Sequence, residues 1–401
     1  MLQAYDPAWA FAANLREQAA RWHRQALLDA AQLAAIETAY PLPFYRPVWA
    51  LRFGLFFFSW VGAAMATGFI ALVVISSLDD KRGTLIFLAA LLAAACFGVL
   101  EAIIRTTKAY RAGPDNLLLY YGLGAIGTFI SLVFNKDSFT NGEMQNPVDL
   151  ILPLSITLTV LVGCVVRYAD ALVALLAVAN TLALVCIIAI QSAWGTILLP
   201  FIVMGSAVGL LLLYRALSQR LAASVLADYY GSCLLMLKIG ALVLLYLGGN
   251  YLMVREGNAP LLQLETSTQV AFALLFYAFT ALMPLVYITL GLRRADRTLL
   301  LMGLLTLAFS IFTLRYYRSV LPPEVAAVLA GTFLTALAGL GLRYLRPARF
   351  GLTSEPDDEP RHFDLENLIQ AQTAHAPGAP ASGGFEFGGG HSGGGGAEGT
   401  Y

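Results

Sequence analysis

Charge is what this sequence has least of. Of its 401 residues only 12% are Asp, Glu, Lys or Arg, about half the share of an average soluble domain. Twenty-five basic and 25 acidic side chains are too few to clothe a water-facing globule of this size, which excludes a soluble protein. The two signs cancel to a net charge of zero, so no global field draws in nucleic acid, and no nucleic-acid partner is expected. Cysteine and histidine are scarce as well, at four each. Cys96, Cys164, Cys186 and Cys233 sit singly inside apolar runs, where a thiol behaves as a small hydrophobe. None has a second cysteine or a histidine at ligand spacing, and His23, His362, His375 and His391 are scattered outside those runs. A disulfide framework and a metal site are therefore not expected. Serine nucleophile elbows, phosphate-binding glycine loops and zinc-protease motifs are missing too, so no catalytic residue and no cofactor is assigned.

What is present is hydrophobic length. With 58% of residues apolar, stretches of roughly 20 that match a hydrocarbon layer of about 30 Å recur along the chain. They predict an all-α polytopic transmembrane helix bundle of about ten spans, near 53–78, 84–104, 116–134, 148–166, 171–190, 194–214, 232–254, 268–292, 298–314 and 325–342. Links as short as Arg167-Tyr168-Ala169-Asp170 force antiparallel neighbours. The first apolar run begins only near Trp49, so no cleavable signal is expected and the first span acts as an anchor. With the N-terminus inside, 18 basic residues fall on cytoplasmic segments against six on outer loops. That bias selects cytoplasmic N- and C-termini in a bacterial inner membrane.

Three parts follow: a cytosolic leader (1–48), the bundle (49–344) and a cytosolic tail (345–401). In the leader, Trp9, Phe11, Leu15, Ala19 and Trp22 make one helical stripe, and Leu27, Leu28, Leu33, Ile36 and Tyr40 a second. These describe a helical hairpin on the membrane interface or under the bundle, with a partner-binding domain as the alternative. The tail passes an acidic patch (Glu355, Asp357, Asp358, Glu359) and ends in 383–401, where 10 of 19 residues are glycine. Such a composition buries too little apolar surface to offset chain entropy, so disorder is expected. Besides the lipid bilayer, protein partners are expected at these two ends.

The polar residues inside the runs mark candidate sites. Lys238, in Leu235-Met236-Leu237-Lys238-Ile239-Gly240, is the costliest. Snorkelling, a structural ion pair, and a transport or catalytic role are its three readings. Glu101 lies at comparable depth and is the expected partner, with Asp170 on the same side, so Lys238, Glu101 and Asp170 form the candidate intramembrane site. On the outer face, Asp79, Asp80 and Asp149 are candidate carboxylates, similar in placement to those of membrane glycosyltransferases that use lipid-linked donors. The first outer loop is short and holds Lys81 and Arg82 at once, which favours a solvated loop. Pro200 and Pro284 are expected to kink their helices. Gly205 with Gly209, and Gly122, Gly124 and Gly127, are expected to mark close helix packing.

The leader helix Leu28-Asp29-Ala30-Ala31-Gln32-Leu33-Ala34-Ala35-Ile36, followed by short-looped spans, resembles a family of uncharacterised bacterial polytopic membrane proteins with a helical cytosolic leader. The ending Gly388-Gly389-Gly390-His391-Ser392-Gly393-Gly394-Gly395-Gly396-Ala397-Glu398-Gly399-Thr400-Tyr401 resembles the Gly-rich terminal tag of TPM-domain membrane proteins. The TPM domain itself is absent. The resemblance implies a shared tail-recognition or assembly context, and no activity. The leading expectation is a non-enzymatic membrane component or scaffold with partner-binding ends. The alternatives are a secondary transporter or channel with an inner-leaflet polar site, and a membrane enzyme acting on lipid-linked substrates.

Overall fold

The computed structural model describes residues 3–45, 47–77, 81–134, 147–192, 194–261 and 272–317, with scattered helical positions from 325 to 343. Among the described residues all regular structure is helical. Two leader helices, α1 (Pro7–Arg24) and α2 (Ala30–Ala39), precede α3 (Trp49–Ser77), α4 (Lys81–Thr107), α5 (Pro114–Phe134), α6 (Ile151–Tyr168), α7 (Ala171–Ile190), α8 (Gly195–Leu221), α9 (Leu226–Gly249), α10 (Tyr251–Leu261), α11 (Ala273–Arg293) and α12 (Arg297–Tyr317). Nine of these, all but α1, α2 and α10, are long and apolar enough to cross a bilayer. They match the first nine expected spans. The tenth lies largely outside the described residues, and the tail lies wholly outside them.

The surface identifies the solvent. Phe58, Phe69 and Leu274 are 75%, 70% and 86% exposed, and such residues recur around the whole bundle. Contiguous apolar surface on that scale is not sustained in water, so the chain is an integral, multi-pass membrane protein. Inside, α9 is the shared wall, touching α1, α7, α8, α10, α11 and α12. Glycine permits the closest approach between α11 and α12. A Cβ on Gly303 would stand 2.8 Å from the backbone nitrogen of Ile288, and one on Gly291 2.7 Å from that of Leu300. The glycine pairs singled out by spacing behave otherwise. A Cβ at Gly205, Gly209, Gly124 or Gly127 would meet open space, and of those named only Gly122 packs closely, against Cys96 and Phe97. Spacing reveals a thin stripe but not which way it faces.

Two polar devices close the backbone inside the bundle. Pro284 has no N–H for the carbonyl of Thr280, and the hydroxyl of Ser310 on α12 donates to it instead at 2.8 Å. Between α9 and α10 the chain breaks at the fully buried Asn250. Its Oδ1 accepts from the N–H groups of Leu252 (3.0 Å) and Met253 (3.3 Å), while Thr280 Oγ1 accepts from Tyr251 N–H at 2.9 Å. The opening donors of α10 are thus satisfied within the protein.

The leader is built into the fold. α1 begins at Asp6, which caps Ala8, with Pro7 in its first turn. It packs on both α9 and α2 and buries Ala10, Ala12, Ala13 and Ala19, whereas Phe11 and Trp22 are exposed. Of the expected stripe Ala19 is thus buried while two of its aromatic members are not. Trp9 packs instead with Phe44 and Tyr110. Ahead of α1, Ala4 N–H donates to the carbonyl of Arg167 at 2.8 Å and the Tyr5 hydroxyl to Asp115 Oδ2 at 2.9 Å. Asn14 Nδ2 donates to Asp228 at 2.6 Å. By contrast α2 buries no residue.

Burial, followed by the charge of Asp115 and its hydrogen bond, pushes the Tyr5 phenol far above its ordinary range. A proton held more tightly when folded stabilises the docked leader fully below the unfolded value, about 10, and that contribution is lost as pH rises beyond it. Alkali is thus expected to release α1 before the spans unfold, seen as protease cleavage in the leader. Tyr5→Phe should remove this alkaline step. It should also cost about 1–3 kcal/mol at neutral pH, since buried Asp115 loses a donor. An unchanged neutral melt would count against the latch.

Candidate functional site

Two polar regions lie at the end of the bundle where the leader packs. The first is the α6–α7 turn. Helix α6 ends with Ala169 in a left-handed conformation (φ 49°), and its terminal carbonyls have no helical partner. Three carbonyls here find donors far away in sequence. Tyr230 Oη donates to Val166 O at 2.6 Å, Tyr229 Oη to Arg167 O at 2.7 Å, and Arg111 to Ala169 O at 2.8 Å. Arg111 also donates to Ser232 Oγ at 3.0 Å. On the other side of the turn Asp170 caps α7, accepting from Leu172 and Val173 N–H at 2.9 and 3.1 Å, and it takes a hydrogen bond from the Tyr120 hydroxyl.

This arrangement corrects the expected grouping of Lys238, Glu101 and Asp170. Glu101 pairs with Arg167, whose Nε lies 2.6 Å away, and accepts from the Tyr168 hydroxyl at 2.9 Å. Asp170 is engaged as a helix cap. Lys238 makes its ion pair with Asp296, the residue that caps α12 through the N–H of Leu299. Position along each helix is readable from sequence. Rotation about each helix axis is not readable, and it separates them.

Asp296 was missed because it stands among Arg293, Arg294 and Arg297, where the run reads simply as a basic loop. The signal was there: an aspartate three residues ahead of the apolar run that starts at Leu299 sits where a helix N-cap is expected. The outer-face candidates do not gather. Asp149 is exposed on a short helical turn, Pro147–Leu150, and Asp79 and Asp80 lie outside the described residues. Among the described residues no group of three His, Cys, Asp or Glu side chains is placed to hold a metal.

The second region is a cleft of about 740 Å³ between α8, α9 and α11, within the roughly 300–1,000 Å³ of small-molecule sites. Its polar end carries Lys238, Asp296, Tyr214, Arg215, Ser218, Gln219 and Arg294. Its walls below are Val208, Leu211, Leu242, Leu245, Met283 and Val286. The Lys238 ammonium lies 5.6 Å from the centre of the Tyr214 ring, and its side chain is 13% exposed. Of the three readings open from sequence, its contact with a carboxylate is that of an ion pair. From Arg215 to Val208, and from Arg294 to Met283, the cleft runs roughly 10 to 16 Å along the helices. That is about one leaflet of a 30 Å hydrocarbon layer.

No family model, curated protein or solved structure matches the chain.

At Asp296, burial raises the carboxyl pKa, but the Lys238 ammonium and the N–H groups opening α12 outweigh it and hold the group below the usual carboxylate range. The contribution of the pair is then complete above the unfolded value near 4 and lost as pH falls through the lower folded one. A double-mutant cycle on Lys238→Met and Asp296→Asn should give a coupling of about 0.5–3 kcal/mol in unfolding. It should be the same at pH 5 and pH 8. Additive single and double variants would show that the two groups do not stabilise each other.

Proposed function

We propose that this protein is a non-enzymatic component of the bacterial cytoplasmic membrane, with both termini in the cytoplasm, that holds an amphiphile in the cleft between α8, α9 and α11. One observation carries this reading. The cleft joins a charged rim to an apolar wall of single-leaflet depth, which is the shape of a molecule with a polar head and a hydrocarbon tail. A channel or transporter needs a polar path through both leaflets. Here the polar groups stop at the rim, and Tyr287 at the back of the cleft spends its hydroxyl on the carbonyl of Leu242 at 2.9 Å.

The cytoplasmic orientation is supported by the basic residues at the leader end, among them Arg105, Arg167, Arg215, Arg220, Arg293, Arg294 and Arg297. A scaffold role at the protein's ends is compatible with amphiphile binding. The face of α1 is taken up by the bundle, so a partner would meet the exposed α2 or the tail.

Two experiments test this. A phosphatidylcholine bearing a photoreactive group in mid-chain should crosslink to Leu211, Leu245 and Met283 well above the level at Phe58 or Phe69 on α3. Leu245→Trp, which fills the cleft, should lower that signal about tenfold. Crosslinks spread evenly over the lipid-facing surface would sink the reading. Separately, alkaline phosphatase fused after residue 222 should stay inactive, while a fusion after residue 261 should be active, since the enzyme folds only outside the cytoplasm. The reverse pattern would invert the topology.

A further inference from the structure

We infer that the amphiphile is an anionic phospholipid taken from the cytoplasmic leaflet, its phosphate held between Arg215 of α8 and Arg294, which caps the C-terminal end of α11. This rests on the amphiphile reading above and adds the chemistry of the head group.

The charges on the rim are unequal in their freedom. Lys238 is neutralised by Asp296. Arg215 and Arg294 line the same cleft from α8 and from the end of α11, both exposed, and neither has an ion-pair partner among the described residues. Counting these four groups, the rim keeps two uncompensated positive charges. Guanidinium forks suit phosphate oxygens through paired N–H donors; a zwitterionic head offers the same phosphate but brings its own cation against the two arginines, whereas an anionic head leaves the phosphate charge to them. Ser218 and Gln219 lie three and four residues beyond Arg215, on the same helical face, and both line the cleft. They add uncharged hydrogen-bonding groups for the remainder of a head group.

The position of the rim fits a lipid rather than a dissolved ion. Asp296 and Arg294 mark the loop where α11 gives way to α12, the depth at which lipid phosphates lie. The apolar wall directly beneath would gain nothing from inorganic phosphate, whereas an acyl chain covers it. Paired charge in Lys238 and Asp296 also serves the site. A free lysine ammonium would pull the phosphate inward, off the level of its own leaflet, while the neutral pair leaves attraction concentrated at the two arginines.

The test uses the full-length protein in nanodiscs and compares phosphatidylglycerol with phosphatidylcholine of identical chains, competing each against the photoreactive phosphatidylcholine. Wild-type protein should prefer phosphatidylglycerol roughly tenfold to thirtyfold. Arg215→Gln with Arg294→Gln should abolish that preference while crosslinking by the zwitterionic probe persists at Leu211 and Leu245. Each single variant should lose part of the preference, and Arg215→Lys should retain most of it. Equal affinity for the two lipids in wild type, or a preference that survives the double variant, overturns the inference and leaves the amphiphile reading standing. Loss of zwitterionic crosslinking in wild type removes both. Displacement of the probe by millimolar inorganic phosphate as effectively as by phosphatidylglycerol would assign the arginines to a soluble anion instead, and would also overturn the inference.

Discussion

Backbone carbonyls that end a helix inside a membrane protein must be given donors by the protein itself, and the end of α6 is where this requirement shapes the molecule most. Three carbonyls in the stretch 166–169 are met by Tyr229, Tyr230 and Arg111, and one of them by Ala4 as well. Those donors come from α9, from the segment before α5 and from the leader. Three parts of the chain remote in sequence are therefore fixed against one turn. An unsatisfied group here costs several kcal/mol, so leader docking and α9 placement follow from a local chemical need rather than from a general affinity of surfaces.

Once α9 is held at that turn, the position of the cleft follows. Cys233 bonds to Asp170 O beside the turn at 3.3 Å, and Lys238 stands five residues farther along the same helix. α8 packs along one side of α9, and α11 and α12 form a tight pair along another, with Gly291 and Gly303 removing the side chains that would hold them apart. The cleft is the space that remains between α8 and α11 with α9 as its floor. Its polarity is set by helix ends: Arg215 and Arg294 lie where α8 and α11 approach the interface, and everything deeper on these faces is aliphatic or aromatic.

How much of this was legible in the sequence depends on which coordinate is asked for. Distance along the membrane normal is encoded in residue count, since each helical residue advances about 1.5 Å. The nine described helices long and apolar enough to cross a bilayer follow from counting alone. Rotation is encoded weakly, because a helix that is apolar on every side carries little signal about which face meets a neighbour. That is why Lys238 was matched to Glu101 and why Gly205 and Gly209 were assigned to packing. The leader shows the same limit. Its two helices were visible from stripes and from caps such as Asp29, but which α1 side chains are buried depends on the neighbours α1 meets on either side, α9 and α2.

The break at Asn250 differs from the helix breaks that present free donors to a ligand. Discontinuous helices in transporters present unpaired N–H groups to a substrate near the midplane. Here Asn250 and Thr280 occupy those donors, Ser310 fills the gap that Pro284 opens, and Thr313 holds Asn250 in place through a contact of 3.1 Å. Asn180 is an exception: its buried Oδ1 has no hydrogen-bond partner, and nothing in the surrounding helices accounts for it. The far half of the bundle is otherwise closed at each of these irregular points, whereas the near half keeps two guanidinium groups open above an apolar wall. On the reading proposed above, those two arginines over an apolar wall are what would hold an amphiphile, and a conduit would need a further polar path beyond them.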